Sequence, residues 1–338
     1  MLRSIWRHMV VSRLLPAALV LALAVVSTAG CSQSSGASSY PTKAVEIIVP
    51  FAAGGGTDVV ARIAGEHASS KWKQPVSVVN KPGGGGTPGT VEAIQAKPDG
   101  YTLTMLAAST SILNPALQSD LPYKWDDMTF IARVSLSPLV LVVKADSPYK
   151  TAKELVEVVK QDPSKFKFGS SGVAGPSTFG VGQLLQAAGV DPTKVDIVPF
   201  NGGAPTLTAV AGGHVDFAAQ NLSEVLPLVQ GGKLKALAVT SPERVSELPD
   251  VPTAREAGYE GFKQVGVFGL AGPKNLPQPV VSKWESVLAE ALKDSAFKDR
   301  MMKTGNIPSY QDSREYTAWT EDQFNSASDL AIKLNLRK

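Results

Sequence analysis

The chain holds 338 residues, 43% of them apolar and 19% charged, which suits one or two domains with ample core and excludes a disordered chain. Its formal net charge is +3, but Arg3, Arg7 and Arg13 fall in the first 30 residues, which hold no acid, so the remainder balances 30 basic against 30 acidic residues. A nucleic-acid-binding surface needs a positive excess to displace counterions, and none is left.

Three arginines precede an apolar run from Leu14 to Val26, too short to span a membrane comfortably, so residues 1–30 read as an export signal. The run ends in "STAGC", and Cys31, the only cysteine in the chain, has no internal disulfide partner. Ala29 and Gly30 resemble the lipobox of bacterial lipoproteins, whose cysteine is acylated and becomes the mature N-terminus. Thr28 stands where leucine is usual, and an ordinary signal peptide with an incidental cysteine is the alternative. "SQSSGASS" has the composition of a flexible tether, which makes 31–39 a linker and starts the folded protein near Tyr40, outside the cytoplasm.

From Pro41 short apolar runs alternate with helical ones, the pattern of an α/β fold. Strands are predicted at Val45–Val49, Val76–Val79, Tyr101–Ala107 and Leu139–Val143, with helices at Thr57–Ser69 and Thr87–Ala96. The unbroken apolar run Leu139–Val143 suits a sheet covered on both faces. Thr151 and Glu154 then form a capping box, opening a second series. Its strands are Phe166–Phe168, Val195–Val198, Val215–Ala218 and Leu234–Val239, and its helices Thr178–Ala188, Pro205–Ala211 and Ser223–Gln230. "QVGVFGLAGP" reads as a strand leading back, followed by two helices near Val280–Leu292 and Ala296–Lys303. The expectation is two lobes, 40–142 with 265–338 and 143–264, joined by crossing strands Leu139–Lys144 and Val265–Leu270.

Four loops share one grammar of strand, glycine-rich turn and helix start: "PFAAGGGTD", "NKPGGGGTPGT", "GSSGVAGPST" and "PFNGGAPT". Glycine admits positive φ and close approach of a ligand to backbone N–H groups, and a helix start supplies unpaired donors at the positive end of its dipole. Lys81 is the only Lys or Arg in these loops, so an anion would rest on amides and on the hydroxyls of Thr57, Ser170, Ser171, Ser177 and Thr178. The alternative is that the glycines only make turns and the hydroxyls only cap helices. Asp58 and Arg62 are spaced for a local ion pair, although Asp58 could instead meet a ligand's ammonium group. Gly84, Gly86 and Gly89 match a dinucleotide fingerprint, but no acid follows about twenty residues on, and Lys233 lacks the rest of a Walker motif. "GSSGV" misses the nucleophile-elbow spacing. His67 and His214 read as structural, and neither a metal site, a cofactor nor a catalytic set is expected.

"YPTKAVEIIVPFAAGGGTDVVAR", "VVNKPGGGGTPGT", "KPDGYTL", "FGSSGVAGPSTFG", "VPFNGGAPTLTAVAGGHVDFA" and "GKLKALAVTSPERVSELPDVPTAREAGY" together resemble the extracytoplasmic solute receptors of tripartite tricarboxylate transporters, the Bug family. The resemblance runs from Tyr40 onward. It implies a type II-like, two-lobed periplasmic-binding-protein fold with two crossing hinge strands, closing on a small carboxylate that passes to membrane permease subunits. It also implies a monomer, lipid-anchored at the bacterial cell membrane in the periplasm or at the outer surface. The site residues it implies are Phe51, Ala53, Gly54, Gly55, Gly56, Thr57 and Asp58 in the first loop and Gly84, Gly85, Gly86 and Thr87 in the second. In the other lobe they are Ser170, Ser171, Ser177 and Thr178, then Asn201, Gly202 and Gly203, with Ser109, Asn114 and Asn221 completing the pocket. Phe200 and Asn201 stand where many members have tyrosine and a basic residue, and Phe179 lies where many have histidine, so a less charged or aromatic acid is as plausible as citrate. A secreted α/β enzyme acting on a small anion is the competing class, and the sequence offers it no acid/base pair.

Overall fold

The structure, a computed structural model, describes residues 40–172, 175–200 and 202–333. The expected signal peptide, the tether, Cys31 and Asn201 lie outside the described residues. Pro41–Lys338 forms one compact unit built on a ten-stranded sheet.

The first half lays down β1 (Val45–Val49), α1 (Gly56–Trp72), β2 (Val76–Asn80), α2 (Thr87–Ile94) and β3 (Thr102–Ala107). β1 pairs in parallel with both β2 and β3. A short π-helical turn, Ser109–Leu113, runs into the single turn α3 (Asn114–Leu117). The chain then enters β4, Met128–Lys144, much longer than the predicted Leu139–Val143. Ser135, Ser137 and Pro138 hide its first part from an apolar-run reading.

β4 links the halves. Met128–Pro138 pairs with β9 (Val265–Pro273), while Leu139–Lys144 pairs with β7 (Phe217–Asn221) and β8 (Leu234–Val239). Leu139, Leu141 and Val143 pack into one core and Val140 and Val142 into another, so the sheet is covered on both faces here as the apolar run requires. The second half repeats the first: α4 (Ala152–Gln161), β5 (Lys167–Ser170), α5 (Pro176–Ala187), β6 (Asp196–Pro199), α6 (Gly203–Gly212), β7 and α7 (Leu222–Gln230). β5 pairs in parallel with β6 and β7. The capping box at α4 is present, with the Glu154 amide donating to Thr151 Oγ1 and Glu154 Oε2 accepting from the Lys150 amide.

β9 returns alongside β3 and β4. α8 (Gln278–Ala291) follows, its Trp284 ring meeting Trp72 of α1 edge-on, and then α9 (Ser295–Met302). Beyond the two predicted helices lie β10 (Ile307–Gln311), paired with β4, and α10 (Ser313–Lys333). α10 seats Tyr316, Ala327 and Ala331 in the core of Leu106, Ile112 and Phe130. Trp319 and Phe324 pack against the same core from its edge, and the polar residues between these widely spaced apolar ones dilute the apolar signal in sequence.

Candidate functional site

Each of the four glycine loops runs from the carboxyl end of a parallel strand into a helix. This is the end of an open α/β sheet where ligands bind. The N-caps of α1, α2, α5 and α6 are Gly55, Gly86, Gly175 and Gly202, and none of the four helices has a side-chain cap. The helices at Thr151 and Asp294, by contrast, have side-chain caps. The four bare starts therefore keep N–H donors and positive dipole ends that capping would have used.

The loops pair within each half. In the first half a β-carbon on Gly86 would meet Thr110 and, at 3.0 Å, the Phe51 ring, so the second loop packs on the first. Gly83, Gly84, Gly85 and Gly86 have φ of 128°, 50°, 64° and 91°, a run that only glycine sustains. Asn114 is buried and donates from Nδ2 to the Gly85 carbonyl at 3.1 Å, so it holds this loop in shape. In the second half the Phe200 amide donates to the Ser170 carbonyl at 2.8 Å, joining the third and fourth loops.

Asp58 is bonded within the first loop and to Arg62 and Asn80, as the local ion pair expected from its spacing requires. It accepts from the Gly54 amide at 2.9 Å, from Arg62 Nε at 3.0 Å and from Asn80 Nδ2 at 2.8 Å. Burial opposes its ionisation, but Arg62, the Gly54 amide and Asn80 together hold its carboxyl below the ordinary value. Lys81 is likewise occupied, paired with Glu92.

The hydroxyls are mostly committed to the scaffold. Ser170 and Thr178 lie within hydrogen-bond reach of one another and of the Gly172 carbonyl, so one hydroxyl donates to the other and the second donates to that carbonyl, while Ser177 donates to the Gly169 carbonyl and accepts from Gln220 Nε2. Thr57 is buried, Ser109 and Ser171 are half-buried, and Ala53 and Gly54 are exposed. Thr87 begins α2 and Gly203 begins α6. Phe179 is buried in the apolar cluster that includes Ile112 and Val267, consistent with a cleft of reduced polarity.

One residue that sequence reasoning passed over ties the halves together. Glu224, in the first turn of α7, places its carboxyl against both Gly203 and Gly55. Its Oε1 lies 2.6 Å from where a β-carbon on Gly203 would stand and 3.8 Å from that of Gly55. Its neighbours share the position: Ser223 Oγ faces Gly56, Asn221 Oδ1 faces Gly266, and both oxygens are buried without a partner among the described residues. An acidic residue in a helix's first turn is ordinary dipole placement, so no local signal marked it.

Among the described residues no group of three His, Cys, Asp or Glu side chains is gathered for a metal. Two surface depressions, about 410 Å³ beside Glu285 and Asp312 and about 490 Å³ beside Lys235 and Glu247, contain no residue of the glycine loops.

The fold and loop arrangement define a solute-binding protein of the two-lobed periplasmic type. The chain matches periplasmic binding protein BugD with a TM-score of 0.80 at 33% identity, covering 88% of this chain and 100% of that one. MatC from Rhodopseudomonas palustris with bound malate superposes with a TM-score of 0.76 at 29% identity, over 86% of this chain and 99% of that one. Protein BugT of Bordetella pertussis is 30% identical over 84% of this chain and 86% of its own length. Residues 60–336 match the tripartite tricarboxylate transporter family receptor, and the chain belongs to that family. It is a receptor, which sets aside the secreted enzyme.

Proposed function

We propose that the protein is an extracytoplasmic receptor, anchored through acylated Cys31, that captures a small carboxylate between its lobes and delivers it to the membrane permease subunits of a tripartite tricarboxylate-type transporter. The lobes are 40–142 with 265–338, and 143–264. The observation that carries this reading is the set of four glycine-capped helix starts, two from each half, with no side-chain cap on any. An anion seated there is bound by backbone amides and helix dipoles, which needs no basic side chain. The bound malate of MatC supports a small carboxylate as the cargo.

In this assignment Gly55, Gly56, Thr57, Gly86, Thr87, Ser109, Ser171, Gly202 and Gly203 face the ligand. Asp58, Gly85, Asn114, Ser170, Ser177 and Thr178 shape the loops that present them. A thermal-shift screen over mono-, di- and tricarboxylates tests the reading. At about a hundred times its dissociation constant, a true ligand stabilises by about 2.7 kcal/mol, and small-angle scattering should show compaction. A panel in which no carboxylate shifts the melt refutes it. For the anchor, wild-type protein partitions with membranes and Cys31→Ser does not; a soluble, unmodified mature wild type refutes that part.

A further inference from the structure

Glu224 lies between a helix start of each half, and it is an acid. Its carboxyl touches the start of α6 at Gly203 and faces the start of α1 at Gly55. Among the described residues no basic side chain is paired with it. Arg62 is held by Asp58 and Asn80, Lys81 by Glu92, and Lys235 on β8 by the carbonyls of Ser147 and Tyr149. Gly266 and Phe268 of β9, Gly305 and Gly203 at the start of α6, which lie against the start of α7, carry no charge. Asp58, on α1, is ionised and committed to its own network. Although part of the side chain stays accessible, the carboxyl lies deep enough that burial pushes it up to about 7, countered only by a hydrogen bond from Asn221.

A second carboxylate entering this cleft would meet an ionised Glu224 with no basic residue to separate the like charges. A neutral Glu224 instead carries an O–H, the one donor a carboxyl can offer. We propose that Glu224 is a specificity-determining residue of the cleft: in its neutral form it donates a hydrogen bond to the bound acid, so the receptor takes up a proton with its ligand and prefers singly charged acids to di- and tricarboxylates. This rests on the carboxylate reading above. No covalent step is involved; a solvent proton moves to Glu224 as the complex forms and leaves when the acid leaves.

The test is calorimetric titration of the full chain with benzoate, propionate, succinate, citrate and 4-aminobutyrate at pH 6, 7 and 8, in buffers of different ionisation enthalpy. The singly charged acids do not titrate in this range, so any pH dependence belongs to the protein. Their affinity should fall about tenfold from pH 6 to pH 8, with about half a proton taken up per ligand at pH 7. Succinate and citrate should bind more weakly than the best singly charged acid. Glu224→Gln keeps an N–H donor and cannot ionise, so it should bind with no proton uptake, a flat profile, and a tighter affinity than wild type at pH 8.

Acid binding without proton uptake or pH dependence in the wild type overturns this proposal alone. So does preferential binding of 4-aminobutyrate that strengthens as pH rises, since the ionised carboxylate would then be facing an ammonium group. No binding of any acid at any pH overturns the carboxylate reading and this proposal with it. The wild-type titrations decide the matter even if the variant fails to fold.

Discussion

Gly56→Ala, set beside Gly55→Ala, separates the packing role of the first loop from its binding role. A β-carbon at residue 56 would stand 2.7 Å from Ser223 Oγ and 2.8 Å from Phe268 Cζ, closer than such atoms approach. Phe268 is 2% exposed, so its ring has little room to retreat. Overpacking of this kind costs about 1–3 kcal/mol, offset by less than about 1 kcal/mol from replacing glycine in a helix. The net loss of about 1–2 kcal/mol corresponds to a fall in Tm of roughly 2–3 °C for a compact unit of this length. Gly55 has φ of −76°, which alanine adopts freely, and its β-carbon would meet nothing closer than the Ala52 carbonyl at 3.5 Å. Gly55→Ala should therefore melt at or slightly above the wild-type temperature, with a gain of up to about 1 kcal/mol. Its effect falls on ligand affinity, because the added methyl projects toward the Glu224 carboxyl. Calorimetric melts and ligand titrations of both variants give the answer. A Gly56→Ala protein that melts with the wild type, beside a Gly55→Ala protein that is destabilised but binds normally, refutes the argument.

Gly85→Ala should cost about 1–2 kcal/mol in chemical denaturation through its φ of 64° alone, since no atom crowds the new methyl; an unchanged midpoint refutes the left-handed run. Thr151→Ala removes the side-chain cap of α4 and should cost about 1 kcal/mol, with ligand affinity untouched. Asp58 has a folded value below its unfolded one, so its stabilisation is present above the unfolded value and is lost as pH falls through the folded one. Asp58→Asn should flatten that acid limb in melts between pH 6 and pH 2. Glu224 has the opposite sign: its raised value makes the wild type lose stability as pH rises from about 4.5 through about 7. Glu224→Gln should recover up to about 3 kcal/mol at pH 8 and nothing at pH 4, and equal pH profiles would refute the burial of this acid.

The strands and helices that repeat as strand, turn and helix were legible because each carries its own period. β1 and β8 match their predicted bounds, and the starts of α1 and α2 lie within a residue of theirs. Among the elements that were not legible, β10 included, two show different reasons. The first part of β4 alternates buried Ser135 and Ser137 with apolar residues and holds Pro138, yet it is an interior strand flanked by β9 and β10. Only the tertiary partners on both sides make that composition a strand. α10 buries Tyr316, Thr320, Ala327 and Ala331 with Trp319 and Phe324 half-buried beside them, a face in which alanine and threonine separate the aromatics and weaken the amphipathic contrast.

The glycine loops could be found in sequence, but not what each glycine is for, and Gly54, Gly55 and Gly56 differ although they are adjacent. Gly54 needs its φ of 83°, and a side chain there would meet nothing, so its constraint is the backbone. Gly56 has ordinary helical geometry and is bare because Ser223 and Phe268 occupy the space of a β-carbon, so its constraint is packing. Only Gly55 has neither reason; it is the N-cap of the uncapped α1, and a β-carbon there would face Glu224. Composition assigns all three the same meaning; the three-dimensional contacts divide them. The same division explains why Glu224 stayed hidden. Its role depends on Gly203, 21 residues before it, and on Gly55, 169 residues before it, both leaving room for one carboxyl. A short-range pattern holds no trace of such a meeting, in which two uncapped helix starts and Asn221 face one carboxyl with no basic side chain at hand among the described residues.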